Sequence, residues 1–76
     1  MKELVKRMAQ ALVDNPEQVE VAEVLGEQIS VIELRVAKED MGKVIGKQGK
    51  NAKAMRAILS AASAKVHKRI NMEIME

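Results

Sequence analysis

The sequence contains no cysteine and no aromatic residue. Without cysteine, neither a disulfide framework nor a thiolate metal site can brace a small fold. Without Phe, Tyr or Trp, no side chain offers a stacking platform for bases. That excludes the usual surfaces of RNA-recognition-motif and cold-shock domains. His67 is the only histidine, and with no cysteine or second histidine it cannot make a usual zinc site. No apolar run approaches the length of a transmembrane helix, so no membrane partner is expected. The N-terminal stretch is amphipathic and lacks the continuous apolar segment of an export signal, which makes the cytoplasm the expected compartment. No nucleophile–base pair, carboxylate constellation or metal set stands out. The chain is therefore expected to have no cofactor and not to be an enzyme.

What is present is a chain of 76 residues whose core must come from Leu, Ile, Val, Met and ten alanines. That length makes one domain, residues 1–76. A domain of this size buries only about 60% of its unfolded surface, so dimerisation is one way to bury more. The net charge of +2 hides an asymmetry. Residues 1–37 carry four basic and seven acidic side chains, whereas residues 38–56 carry six basic and two acidic ones. A basic window of this kind is an electrostatic footprint for a polyanion, although a solvated helix face gives the same count.

Periodicity divides the chain into six elements. Leu4, Val5, Met8, Ala11 and Leu12 recur at helical spacing and predict a helix over residues 1–13, stopped by Asp14-Asn15-Pro16 with Asn15 suited to a left-handed cap. Residues 18–25 and 28–37 are rich in Val, Ile and Leu and predict two strands joined by a tight turn at Gly26-Glu27. In the second strand Ile32, Leu34 and Val36 alternate with Glu33 and Arg35, so one face is buried. Asp40 is placed to N-cap a short helix over 41–45. A long helix is predicted over 50–64, with Ala52, Met55, Ile58, Leu59 and Ala62 towards the core and Lys53, Arg56, Ser60 and Ser63 on the polar face. Ala54, Ala57, Ala61 and Ala64 form a neighbouring stripe of small side chains. Residues 66–75 alternate again and predict a third strand, with Ile70, Met72 and Ile74 on one face. There are no repeats, linkers or low-complexity tracts.

The segment that carries chemistry is Gly42-Lys43-Val44-Ile45-Gly46-Lys47-Gln48-Gly49-Lys50. Two glycines three apart, between a short helix and a long one, permit a turn too tight for a Cβ and let a sugar-phosphate backbone approach the peptide plane. The next helix begins there with a positive dipole end, and Lys47 and Lys50 add charge beside it. A nucleotide P-loop is excluded: Gly42 and Gly46 enclose three residues rather than four, and Gln48 stands where Ser or Thr would hold Mg²⁺. The dinucleotide fingerprint fails as well, because no strand runs directly into the loop.

This segment resembles the GxxG signature of the KH domain. The element order and the short length resemble the type II arrangement found in small bacterial single-KH-domain RNA-binding proteins of the KhpA type, and the resemblance covers essentially the whole chain. It implies an α+β fold of order helix–strand–strand–helix–helix–strand, with a three-stranded mixed sheet and three helices on one face. It also implies that the loop, its flanking helices and a sheet edge form a cleft for about four nucleotides of single-stranded RNA. By position, Gly46, Lys47, Gln48 and Gly49 are the backbone clamp, and Ile45 is the apolar residue beneath the bases. Lys50, Lys43 and Lys53 are the flanking candidates. Asn51 and Ala52 stand where many KH domains carry a larger aliphatic residue. Such proteins act as post-transcriptional regulators or RNA chaperones, as homodimers or with a second KH-containing protein. The competing reading of the residues is a helix-turn-helix-like DNA binder using residues 40–64, against which the five-residue first helix counts.

Overall fold

The computed structural model describes residues 1–76. The elements follow in the expected order: α1 (Lys2–Leu12), β1 (Glu20–Val24), β2 (Ile29–Arg35), α2 (Met41–Ile45), α3 (Lys50–Lys65) and β3 (Arg69–Met75). The sheet order is β1-β2-β3. β1 runs antiparallel to β2, with Glu20 opposite Arg35 and Val24 opposite Val31. β2 and β3 are parallel, with Ile29 opposite Arg69 and Arg35 opposite Met75. A parallel pair needs a crossover, and α2 and α3 supply it. No helix is long and apolar enough to cross a membrane.

The alternating strands present Ile32, Leu34, Ile70 and Met72 to one side of the sheet. Val5 and Ala9 of α1, Val44 of α2, and Met55 and Leu59 of α3 meet them there. All three helices therefore cover one face, and the opposite face, with Arg35, Asn71 and Glu73, stays open. Fourteen residues are buried, twelve of them apolar, which is a single layer between helices and sheet.

Several local expectations change. The β1–β2 connection is not a two-residue turn: it takes the four residues between Val24 and Ile29. Gly26 is not among the positive-φ glycines, which a turn with Gly at its first position requires. Its lack of a side chain matters for another reason, since a Cβ there would lie 2.2 Å from the Ile29 carbonyl oxygen. The left-handed cap expected at Asn15 is also absent. Val13 leaves α1 in an extended conformation, Asn15 has φ −117°, and Pro16 opens a short 3₁₀ turn. On α3, Ile58 is half exposed whereas Ser63 is buried. The buried stripe runs Ala52, Met55, Leu59, Ser63, and Ile58 lies about 100° around the helix from Leu59. Ser63 is accommodated because its hydroxyl donates to the Ser60 carbonyl at 3.0 Å. The alanine stripe faces solvent: Ala54, Ala57, Ala61 and Ala64 are all exposed.

β3 starts at Arg69 rather than Val66 because the end of α3 is closed by a helix-terminating turn. His67 N–H donates to the Ala64 carbonyl and Lys68 N–H to the Ser63 carbonyl. This pairing places His67 at φ 57°, a position usually held by Gly. A left-handed backbone costs a residue with a Cβ about 1–2 kcal/mol, part of which Gly returns as unfolded-chain entropy. His67→Gly is expected to stabilise the fold by about 0.5–1 kcal/mol. Urea unfolding is the measurement, and a lower midpoint in the variant contradicts the strain argument.

Candidate nucleic-acid interface

The loop after α2 has an unusual backbone. The Gly46 N–H closes α2 on the Gly42 carbonyl at 2.8 Å, and the chain then leaves the helix with Gly46 at φ 77°, ψ 170°. That region is essentially reserved for glycine. Residues Lys47–Gly49 form one 3₁₀ turn, in which Gln48 adopts φ 58° and Gly49 φ 75°. Gly49 N–H returns to the Gly46 carbonyl at 3.0 Å. Three of the four loop residues thus have positive φ, and one of them is not glycine.

The two glycines play different parts. At Gly49 a Cβ would meet nothing within 4 Å, so the space beside it is open. At Gly46 a Cβ would strike Asn51, with its Cγ at 2.7 Å and its backbone N at 2.8 Å. The absence of a side chain at both glycines predicts room for a ligand backbone at each. In the structure only Gly49 is cleared, and Gly46 is a glycine because Asn51 occupies its side-chain space.

Lys47, Gln48 and Lys50 are exposed around the loop, and no side chain caps the start of α3. Lys50, Lys53 and Arg56 follow at three-residue spacing on α3, which places them on adjacent turns of one stripe. Arg56 reaches the rim of a groove between α3 and β3, which Ser60, Lys68, Arg69 and Asn71 also line. Its Nε donates to the Met72 carbonyl at 3.4 Å, across the edge of β3 that no strand pairs. Ile45, 39% exposed, lines a second depression with Val36, Met41, Lys38 and Glu76. Arg56, Lys68 and Arg69 were not singled out from the sequence. Arg56 continues the Lys50–Lys53 spacing and was legible there. Lys68 and Arg69 join the groove only because β3 returns beside α3.

Lys43 lies apart from the loop. Its ammonium is ion-paired with Asp14 and stands 3.7 Å from Asp40. The hydrogen bond to Asp14 raises its pKa against the opposing effect of burial, and the charges of Asp14 and Asp40 add to the rise.

Asp40 precedes α2 as expected, but its side chain does not cap the helix. The carboxylate is fully buried. It accepts from Asp14 N–H at 3.3 Å, Asn15 N–H at 3.0 Å and Asn15 Nδ2 at 3.0 Å. The α1–β1 connection offers these N–H groups because Pro16 ends the helix there, and binding them satisfies the carboxylate better than one helical N–H. Burial by itself would push the Asp40 pKa up. The hydrogen bonds from the Asn15 side chain and the two backbone N–H groups, together with Lys43, outweigh it and hold the carboxyl below its usual range.

A family model described as KhpA/KhpB, KH domain, matches residues 2–74 of this chain. The chain belongs to the KhpA/KhpB KH-domain family. Its similarity to curated relatives named RNA-binding protein KhpA extends over nearly the whole of each chain. It is 60% identical over 74 residues to the RNA-binding protein KhpA of Caldanaerobacter subterraneus subsp. tengcongensis, covering 97% of this chain and 99% of the relative. The RNA-binding protein KhpA of Clostridium acetobutylicum is 55% identical over the same extent. That of Aquifex aeolicus is 50% identical over 76 residues, 100% of this chain and 96% of the relative. Among solved structures, Aquifex aeolicus Era superposes with a TM-score of 0.66 at 20% identity, over 96% of this chain. A complex of Era with nucleotides 1506–1542 of 16S ribosomal RNA superposes at 0.60 and 22% identity. This KH-family chain corresponds to 28% of each of those chains, and at such identities the likeness is one of fold.

Proposed function

We propose that this chain is a single KH unit, residues 1–76, that binds single-stranded RNA through the Gly46-Lys47-Gln48-Gly49 loop. The observation that carries the reading is the loop itself: an exposed, positively charged turn with Gly49 open to a close approach, in a chain whose relatives are named RNA-binding proteins. Lys47 and Lys50 meet phosphates beside the uncapped start of α3, where the helix dipole favours negative charge. Lys53 and Arg56 continue the track, and Ile45 offers apolar contact next to the loop. Lys43 takes a supporting role, since its charge is already paired with Asp14 and Asp40. The chain acts as a binding module rather than an enzyme, in the cytoplasm, as a post-transcriptional regulator or RNA chaperone.

Affinity without aromatic stacking rests on charge. The log–log salt slope is about −0.7 per neutralised phosphate on single strands, so three to five contacts give about −2 to −3.5. Titration of a single-stranded RNA and of a DNA duplex at several salt concentrations tests this. Single-stranded RNA is expected to bind more tightly, with that slope. Preference for the duplex favours the helix-turn-helix reading, and a slope near zero removes the phosphate clamp.

The unit works in pairs, as a homodimer or with a second KH-containing protein. A second cleft on the same RNA raises the effective concentration of each. The outward alanines of α3 are the first candidate contact, because small side chains let another helix approach closely; the unpaired edge of β3 is the second. Replacing Ala57 and Ala61 by Glu is expected to yield a monomer with weakened binding to long RNA and unchanged binding to a four-nucleotide oligomer. Sedimentation at micromolar concentration measures the first effect. A monomeric parent leaves only the heterologous pairing.

A further inference from the structure

Asn51 occupies the one place where the end of α2, the loop and the start of α3 meet. It sits in the first turn of α3 and is half-buried. Its Nδ2 donates to the Lys43 carbonyl at 2.7 Å. Were α2 to continue, that carbonyl would be paired with the N–H four residues on. The chain turns away at Gly46, so the carbonyl is one of the orphan acceptors of a helix C-terminus. The same side chain fills the space a Gly46 Cβ would take, its Cβ at 2.9 Å from that point. One residue therefore holds the last turn of α2 by a hydrogen bond and the base of the loop by contact.

This matters because the loop backbone is one that would relax if released. Gln48 is held at φ 58°, and a side-chain-bearing residue stays in that region only when its surroundings over-determine it. Within the loop two backbone hydrogen bonds do so, Gly49 N–H to the Gly46 carbonyl and Lys50 N–H to the Lys47 carbonyl, and both depend on where Gly46 and the start of α3 are held. We infer that Asn51 is a positioning residue for the RNA clamp: it pins Lys43 and Gly46 so that Lys47, Gln48 and Gly49 are preformed before RNA arrives, without itself touching RNA. The polar side chain at this position is thus a structural lock rather than part of the base groove. The inference rests on the reading that the loop holds RNA. Preorganisation contributes to affinity because ordering the loop need not be repeated at each binding event.

The test uses the full chain and the variant Asn51→Ala, with two measurements. Without RNA, hydrogen exchange of the Gly49 amide reports loop order, with the β2 and β3 amides as reference. With a mixed-sequence single-stranded RNA of 20 nucleotides, titration reports affinity. The expected result is Gly49 exchange faster by about tenfold with the strand amides unchanged, and affinity weaker by about fivefold to tenfold, the loss that one hydrogen bond accounts for. Weaker binding with unchanged loop exchange overturns the inference and makes Asn51 a direct RNA contact. Faster exchange with parental affinity overturns it too, because the clamp then needs no lock. If Asn51→Ala does not fold, Asn51→Ser, whose hydroxyl is too short to reach the Lys43 carbonyl, is put through both measurements. The control is the double variant Lys47→Asp, Gln48→Asp. If it binds RNA like the parent, the clamp reading has failed; if it loses binding while Asn51→Ala keeps it, only the lock has failed.

Discussion

Replacing Lys47 and Gln48 together by Asp is expected to abolish RNA binding while leaving the protein folded. Two negative charges then face the phosphates at the exposed tip of the loop, where the parent has one positive charge and a neutral amide. The fold is spared for two reasons. Neither side chain belongs to the core cluster, and exposed substitutions away from caps and networks usually change stability by no more than about 0.5 kcal/mol. The position at φ 58° also tolerates Asp, which enters the left-handed region more readily than most residues. Loss of more than about a hundredfold in affinity, with a circular-dichroism melt matching the parent, is the predicted outcome. A folded double variant that binds as the parent does would remove the loop from the interface.

The second large effect concerns stability instead of binding. Asp40→Asn is expected to lower Tm by on the order of 10 °C or more, because breaking a buried hydrogen-bond network is among the few single changes with large cost. The amide keeps the size of the carboxylate, but its NH₂ turns a donor towards the Asp14 and Asn15 donors, and Lys43 loses a counter-charge. The parent should also show a distinct acid limb. The folded-state pKa of Asp40 lies below its unfolded value. Its contribution is then fully present above the unfolded value of about 3.9, and it is lost as pH falls from there through the depressed folded value. Thermal melts from pH 2 to 7 on both proteins test this. The variant should melt lower at neutral pH and lose less on acidification. Parallel curves with equal midpoints would show that the network contributes nothing. Where the variant is folded, its loop is intact and its affinity for RNA should be close to the parent's, which separates this effect from that of the double Asp variant.

The two variants divide the basic window of residues 38–56 into parts that its charge count cannot distinguish. Lys47, Lys50 and Lys53 present their charge outward along the loop and one stripe of α3, and Arg56 carries that stripe to the edge of β3. Lys43, in the same run, is folded back onto Asp14. An ion pair of that kind, formed between residues 29 apart, is invisible to a local charge sum.

Much was nevertheless legible in the chain alone, because it is carried by interactions within a few residues. Alternation at Ile32 and Leu34 and at Ile70 and Met72 set the buried face of each strand. The spacing of Ala52, Met55 and Leu59 set the buried stripe of α3. The glycine pair with its lysines announced the loop. Each depends on the period of the backbone and on what a glycine permits, and both are local properties. Docking decided the rest. Asp40 looked like a helix cap and became the buried partner of a turn 25 and 26 residues earlier. Ile58 has the spacing of a core residue and lies on the outer side. Asn51, a residue without pattern or charge, joins the end of α2 to Gly46. Lys68 and Arg69 share a groove with Arg56 only because β3 returns parallel to β2 alongside α3. These placements follow from where packed elements bring distant residues together: the sequence by itself determined which elements form and what the loop can offer, and only the tertiary structure determined which polar groups meet across them.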